Sequence, residues 1–288
     1  EFRRVLFRSI MISMDCYILV SRVDPIGLAL ATVIGYGKLS KRPAKIMNAL
    51  KSQFVTVGAY NFLPERLVFD GEGAVTSLAP QIMEMGIRVD LRPGQHVPKV
   101  EALIKQIKNY CRGVITQLPW DLPAELVPDL VRHAVQRLNL MQTKSGLVGV
   151  PPIEAFTGVP VDIDREARYP FGQYVHAVIP NLQFKNDITK SRSIGGIVVG
   201  QKGRDGALWV RSLETRKLVA RYKVVPMTTT IDIVSAMNKW ASERGHVELE
   251  SYDADIEDDS DMDVKAPREY NPPRIENVTD RATRVFNG

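Results

Sequence analysis

Two carboxylates stand where their surroundings could put them to chemical use. Asp70 closes the short apolar run Arg66-Leu-Val-Phe69 and precedes Gly71. Glu101 follows 31 positions later, near the start of an apolar-periodic segment. A strand-end Asp and a helix-start Glu can converge at the open edge of an α/β sheet. Two or three converging carboxylates hold Mg2+ or Mn2+, and a metal pair serves in-line phosphoryl transfer. Each residue also has a plainer role. Asp before Gly is a common turn former, and Glu in a first helical turn favours the helix dipole. On composition alone the plainer roles are the commoner ones.

A line of basic residues follows Glu101. Lys105 and Lys108 lie four and seven positions on, which is one helix face, and Arg112 extends it. Such a face is either solvated or in contact with phosphates. Further cations sit at Lys185, Lys190, Arg192, Lys202, Arg204, Arg211, Arg216, Lys217, Arg221 and Lys223. Each phosphate contact they made would add salt-sensitive, sequence-independent affinity. Trp209 and Tyr222 read as core residues.

The elements that must position these groups follow from hydrophobic pattern and punctuation. Residues 1–9, Glu-Phe-Arg-Arg-Val-Leu-Phe-Arg-Ser, look like translated linker or assembly sequence; residues 1–10 are left out of the fold expectation, with Ile10 or Met11 as the first native residue. A basic N-terminal arm is the alternative. Two strands are expected at Cys16–Val23 and Gly27–Ile34 around the Asp24-Pro25 turn. An amphipathic helix spans 38–56, with Ile46, Leu50 and Phe54 at helical spacing. Strands at Arg66–Phe69 and Ile87–Leu91 bracket a short helix at 77–85. The longest helix runs from about Pro98 to Gln117, its stripe being Val100, Leu103, Ile104, Ile107, Cys111 and Val114. Another covers 124–138 with Pro128 in its first turn or kinking it. Short strands at 174–178, 195–199, 208–211 and 218–222 suggest a small barrel or meander. Gly200–Gly206 reads as a hairpin loop, and 228–246 as a helix. The layout is α/β: an antiparallel first half, then parallel strands with crossover helices.

Composition bounds the answer. The chain has 288 residues, 44% hydrophobic and 25% charged, with 38 Lys+Arg against 33 Asp+Glu. That is ordinary for a globular protein and excludes collagen, wholesale disorder and a membrane bundle. The balance is uneven: residues 251–288 hold 10 acids and 5 bases, whereas the first 250 hold 33 bases and 23 acids. A basic body suggests an anionic partner such as nucleic acid. The acidic run 253–263 lacks core residues and reads as disordered. Two cysteines and four scattered histidines make neither a disulfide framework nor a structural zinc site. A reducing compartment, nucleus or cytoplasm, is expected, with no membrane partner.

The segment Asp70-Gly-Glu-Gly-Ala-Val75, followed by Pro93-Gly-Gln-His-Val-Pro-Lys-Val-Glu101-Ala-Leu-Ile-Lys-Gln-Ile-Lys108, resembles the Asp and Glu half of retroviral and retrotransposon integrase cores. Val150-Pro-Pro-Ile-Glu-Ala-Phe156 resembles the segment after the core in copia-type elements. Tyr174-Val175, Gly200, the stretch Leu208 to Tyr222, and Val225-Pro-Met227 resemble the barrel-like region that follows. The resemblance covers about residues 11–245. It implies a ribonuclease-H-like mixed sheet with flanking helices (11–160), then a small β-barrel-like DNA-binding region (170–227), a helix (228–250) and an acidic tail (251–288).

It further implies Mg2+- or Mn2+-dependent processing and transfer of DNA 3′ ends, with Asp70 and Glu101 as catalytic metal ligands. Lys105, Lys108, Arg112, Lys202 and Arg204 would be nucleic-acid contacts. The implied partners are DNA (element ends and target), further copies of the chain, and a reverse transcriptase in the parent Pol polyprotein. The sequence departs from the pattern in three places. Gly71-Glu72 follows the Asp, no Asn-Gly pair precedes Glu101, and the first Asp is missing. That Asp is expected near residues 9–11, within or beside the linker-like stretch; Asp15 sits too close to Gly27 to replace it. The fragment is therefore expected to be inactive as it stands. The alternative is a non-catalytic nucleic-acid-binding or interaction relic that keeps the fold.

Overall fold

A computed structural model describes residues 4–13, 16–36, 42–70, 76–92, 97–142, 146–147, 149–180 and 191–244. Its first sheet has five strands: β1 (Arg4–Ser13), β2 (Cys16–Asp24), β3 (Leu28–Tyr36), β4 (Arg66–Asp70) and β5 (Arg88–Arg92). The order is β3-β2-β1-β4-β5. β1 pairs antiparallel with β2 and parallel with β4, and β4 pairs parallel with β5. This is the ribonuclease-H-like arrangement: a three-strand meander extended by two parallel strands through crossover helices.

Strand alternation explains the near-continuous apolar runs. Val5, Phe7, Leu19, Leu67 and Phe69 point to one face and join Ile46 and Leu50 of helix α1 (Pro43–Gly58) and Ile82 of α2 (Ala79–Glu84). Leu6, Ile18, Val20 and Val68 point to the other face and join α3 (Pro98–Gln117) and α4 (Val127–Asn139). A sheet buried on both sides needs apolar residues at both parities.

The expected elements form with small shifts at their ends, and three differences carry physical content. The linker-like stretch set aside from the fold supplies most of β1, the central strand. Its run Val5-Leu6-Phe7 meets the demand for burial on both faces, and the Phe7 and Phe69 rings pack at 5.0 Å between centroids. Pro128 sits in the first turn of α4 after a 3-10 turn at Ala124–Leu126, where its missing N–H costs no helical bond. The third difference concerns the second sheet.

That sheet comprises β6 (Tyr174–Val178), β7 (Ser193–Gln201), β8 (Leu208–Ser212), β9 (Leu218–Arg221) and β10 (Val224–Pro226), in the order β10-β6-β7-β8-β9. It is antiparallel and not a closed barrel: among the described residues no ladder joins β9 to β10. Yet these two edges are joined through only Tyr222 and Lys223. Four strand spacings of ~4.8 Å would hold flat edges ~19 Å apart, whereas three Cα steps reach at most ~11 Å. The sheet must therefore curl, which explains barrel-like spacing in an open sheet.

Helix α4 fastens the two sheets together. Asn139 accepts from the Ala29 N–H and donates to its carbonyl, both at 2.8 Å, on β3. One turn earlier, Gln136 donates to the Gln201 carbonyl (2.7 Å) and accepts from its N–H (3.2 Å) on β7. Buried Asp129 receives Arg132 and, from β8, Arg211. Arg137 donates to the carbonyls of Glu166 and Tyr169. Ile197 and Val199 of β7 and Met237 and Trp240 of α7 (Ile231–Arg244) share one apolar cluster with α3. Helix α5 (Pro152–Thr157) packs Ile153, Ala155 and Phe156 against the α1-side cluster, and α6 (Ile163–Glu166) turns Glu166 to Arg204 of the β7–β8 loop. Among the described residues no helix is long and apolar enough to cross a membrane.

Candidate functional site

The candidate site lies at the C-terminal edge of the parallel strands. Asp70 is the last residue of β4, level with Arg92 of β5. The β1–β4 register pairs Leu6 with Val68. Carried two residues on, past the Phe7–Phe69 ring contact, it sets Arg8 level with Asp70. Residues 71–75 and 93–96, which follow Asp70 and Arg92, and Asp15 fall outside the described residues.

Glu101 arrives from the other direction. Pro98 opens α3 with its φ already helical. Val100, Leu103, Ile104, Ile107 and Cys111 bury one stripe of the helix on the sheet. That anchors the first turn, where Glu101 is half-buried and forms an ion pair with Arg8 of β1. One carboxylate position at a strand end and one at a helix start thus converge on the same residue of the central strand, and that residue is a cation.

The stripe that starts at Glu101 continues through Lys105, Lys108 and Arg112. Lys105 and Arg112 are exposed and Lys108 is half-exposed, on the side away from the buried stripe. Arg112 donates to Asn109 at 3.2 Å. Two other acids of the sheet are engaged elsewhere, Asp24 level with Arg4 at the opposite end of the strands and Asp90 level with Val68 inside β4. Asp24 is buried and receives Arg22 (2.9 Å) and Lys99 (2.8 Å). Asp90 pairs with Arg66.

Lys202 and Arg204 share the β7–β8 loop yet differ completely. Lys202 is exposed, its ammonium 5.7 Å from the centre of the Trp209 ring. Arg204 is committed to the fold. Its Nε and Nη2 donate to the two oxygens of buried Glu166 (2.9 and 2.6 Å). Its Nη1 donates to Thr157 Oγ1 and the Val159 carbonyl, and Nη2 also to the Pro160 carbonyl. All five N–H groups of a guanidinium are thereby accounted for, so the geometry gives Arg204 a structural clamp in place of the expected phosphate contact. Arg211 and Arg216 are likewise paired, with Asp129 and Glu243. Lys185 and Lys190 lie outside the described residues.

Tyr222 differs from its core reading. It is 69% exposed, at the β9–β10 connection, and its hydroxyl donates to Asp205 at 2.9 Å. Tyr222 lies in the two-residue link between β9 and β10, outside the strands whose inward residues form the core of this sheet. Trp209 is half-buried, partly as expected.

Divalent-metal binding needs converging carboxylate oxygens with no competing cation. Among the described residues no group of three His, Cys, Asp or Glu side chains converges. Arg8 stands level with the Asp70 position on the neighbouring strand, and its guanidinium is paired to Glu101. The described residues therefore do not fit the metal pair that the resemblance implies. Arg8, set aside with the linker-like stretch, is the site residue that the sequence reading missed. Its signal was a lone charge two positions after Leu6 in an apolar run, on the parity that faces α3.

No protein-family model matches the chain, and no curated protein matches it. Among solved structures, it is similar to a chain of the simian T-cell lymphotropic virus intasome in complex with PP2A regulatory subunit B56 gamma. That match has 12% identity and a TM-score of 0.40, over 78% of this chain and 81% of the other. It is also similar to the HTLV-2 integrase catalytic core domain in complex with magnesium (12% identity, TM-score 0.41, 55% of this chain and 96% of the other). A third is the catalytic core domain of BIV integrase (13% identity, TM-score 0.40, 55% and 95%).

Proposed function

We propose that the chain is an integrase-core protein of the retrotransposon kind, which binds DNA and is catalytically silent as it stands. The observation that carries this reading is the convergence of the Asp70 position and Glu101 on Arg8 of the central strand. Carboxylates brought from a strand end and a helix start to the middle of a sheet suit phosphodiester chemistry. A cation at their meeting point suits silence. Duplex DNA would lie along Lys105, Lys108 and Arg112 on α3, held by its phosphates. Self-association and a reverse transcriptase in the same polyprotein belong to the same reading.

On the reading of residues 1–10 as linker sequence, the fold has recruited that stretch as β1. The residue that the coding locus specifies level with Asp70 then decides activity. Two measurements test the proposal. Fluorescence anisotropy with a blunt duplex should show binding that weakens log-linearly with salt. The slope should fall by about 0.9 for each phosphate contact removed, as in Lys105→Ala. Paramagnetic titration should show no Mn2+ uptake by the chain and measurable uptake by Arg8→Asp, with DNA nicking in the variant alone. Nicking by the unaltered chain, or duplex binding no stronger than that of an unrelated basic protein, would overturn it.

A further inference from the structure

One end of the second sheet gathers groups that the duplex-binding face does not use. The β7–β8 loop brings Lys202 and Asp205 there, and the β9–β10 connection brings Tyr222 and Lys223. Asp205 ties the two segments together: it accepts from the Tyr222 hydroxyl (2.9 Å) and from the Ala207 N–H (3.1 Å). Those two hydrogen bonds, with the charge of Lys202 nearby, hold its carboxyl below the usual range. Lys202 is in turn held over the Trp209 ring.

The arrangement has a distinctive physical character. A tyrosine this exposed ordinarily samples several rotamers; here its polar end is tethered, so the ring is held out with little freedom left to lose on binding. A flat apolar face in water, held still, suits another flat π-system. The exposed charges beside it, Lys202 and Lys223 against Asp205, leave a positive excess. A planar ligand carrying negative charge on either side fits both features, which describes a nucleotide within a strand. Duplex DNA keeps its bases stacked on one another, so the ring would find a partner only where a base is unpaired.

We infer that this end of the second sheet takes an unpaired base of a nucleic-acid strand, stacked on Tyr222, with Lys202 and Lys223 on the flanking phosphates. Lys202, aligned by Trp209, acts as a pinned phosphate contact. The inference rests on the proposal of nucleic-acid binding but uses a different surface and a different form of the ligand. Its failure is therefore separable.

The test is anisotropy on the full chain with two probes, a mixed-sequence 12-mer single strand and the corresponding blunt duplex, each with Tyr222→Ala and Tyr222→Phe. Removing the ring should weaken single-strand binding at least about fivefold, the lower range for one stacked base. Duplex binding should stay within twofold. Tyr222→Phe keeps the ring but loses the tether to Asp205, so its single-strand affinity should fall between those of the parent chain and Tyr222→Ala; an unchanged melting temperature controls for misfolding. The inference is overturned if Tyr222→Ala leaves single-strand binding intact, weakens both probes equally, or is matched by Tyr222→Phe. It is overturned too if poly-glutamate displaces the single strand as well as unlabelled single strand does, which leaves charge alone as the attraction. Binding of duplex but not single strand would sink this inference and leave the proposed function standing. Binding of neither would sink both.

Discussion

Replacing Arg204 with Ala separates a clamp from a phosphate contact. Its guanidinium is 19% exposed and faces a Glu166 carboxylate that is 2% exposed. Removing one partner of a buried pair costs about 3–5 kcal/mol, because the other charge stays buried without compensation. Glu166 retains the Asp162 N–H at 3.2 Å, which favours the lower end. The carbonyls of Val159 and Pro160 lie in an exposed turn, where water replaces Arg204 at little cost. About 3 kcal/mol is therefore expected. With a urea dependence of about 3 kcal/mol per molar, the unfolding midpoint falls by about 1 M. The salt slope of duplex binding, read by anisotropy under conditions where the variant is folded, should not change. The opposite pattern would refute the reasoning: an unchanged midpoint with a slope smaller by about 0.9, the signature of one lost phosphate contact. Glu166→Gln supplies an internal check. It leaves a neutral acceptor for Arg204 and should cost less than Arg204→Ala.

Other expectations concern the fastening helix and the sheets. Burial and the neighbouring Arg137 charge push the His133 imidazole down to about 3, so the folded chain holds it neutral. The unfolded chain takes up a proton below about pH 6.5 that the folded chain refuses until about pH 3. Stability therefore falls on acidification through that window, by up to about 1.4 kcal/mol per pH unit from this group. Urea midpoints at pH 7, 6 and 5 should show a flatter decline for His133→Phe. Asn139→Ala strips both backbone partners from Ala29 and should cost about 2–4 kcal/mol, with Asn139→Asp intermediate because it keeps the acceptor. At Gly196 a Cβ would stand 2.5 Å from Val210 Cγ1 and 2.7 Å from the Arg211 carbonyl oxygen. The backbone oxygen cannot move aside, so Gly196→Ala should lower the melting temperature, by about 1–3 kcal/mol of strain.

Elements governed by local pattern were legible in the sequence. The longest helix shows this best. Pro98 at its start, an apolar stripe at 3.6-residue spacing, and Leu118-Pro119 at its end define α3 from local chemistry alone. The strands buried on both faces were legible as apolar runs. What the sequence hid were pairings across long separations. Arg8 and Glu101 are 93 residues apart, and Arg204 and Glu166 are 38 apart. A basic residue in a glycine-rich loop looks the same whether it faces phosphate or a buried carboxylate. The second case is chosen by α6, which turns Glu166 inward. The exposure of Tyr222 was hidden for a related reason. Aromatic residues in strand-like runs usually pack inside, and only the order of strands in the folded sheet shows that this one sits at an edge-to-edge link.

The contact of Asn139 with Ala29 reaches beyond stability. β3 is an outer strand of the first sheet, and an outer strand offers its free backbone groups to any extended chain that drifts past. A carboxamide presents a donor and an acceptor side by side, as a peptide unit does. By bonding both groups of Ala29, Asn139 stands in for one rung of an absent neighbour. Ala29 is the second residue of β3, so the rung is occupied at the start of the strand, where a would-be sixth strand would begin to pair. The same side chain that joins helix to sheet thereby guards this margin of the protein against recruitment into fibres. The Asn139→Ala variant should betray the loss by clumping at concentrations where the parent chain stays dispersed.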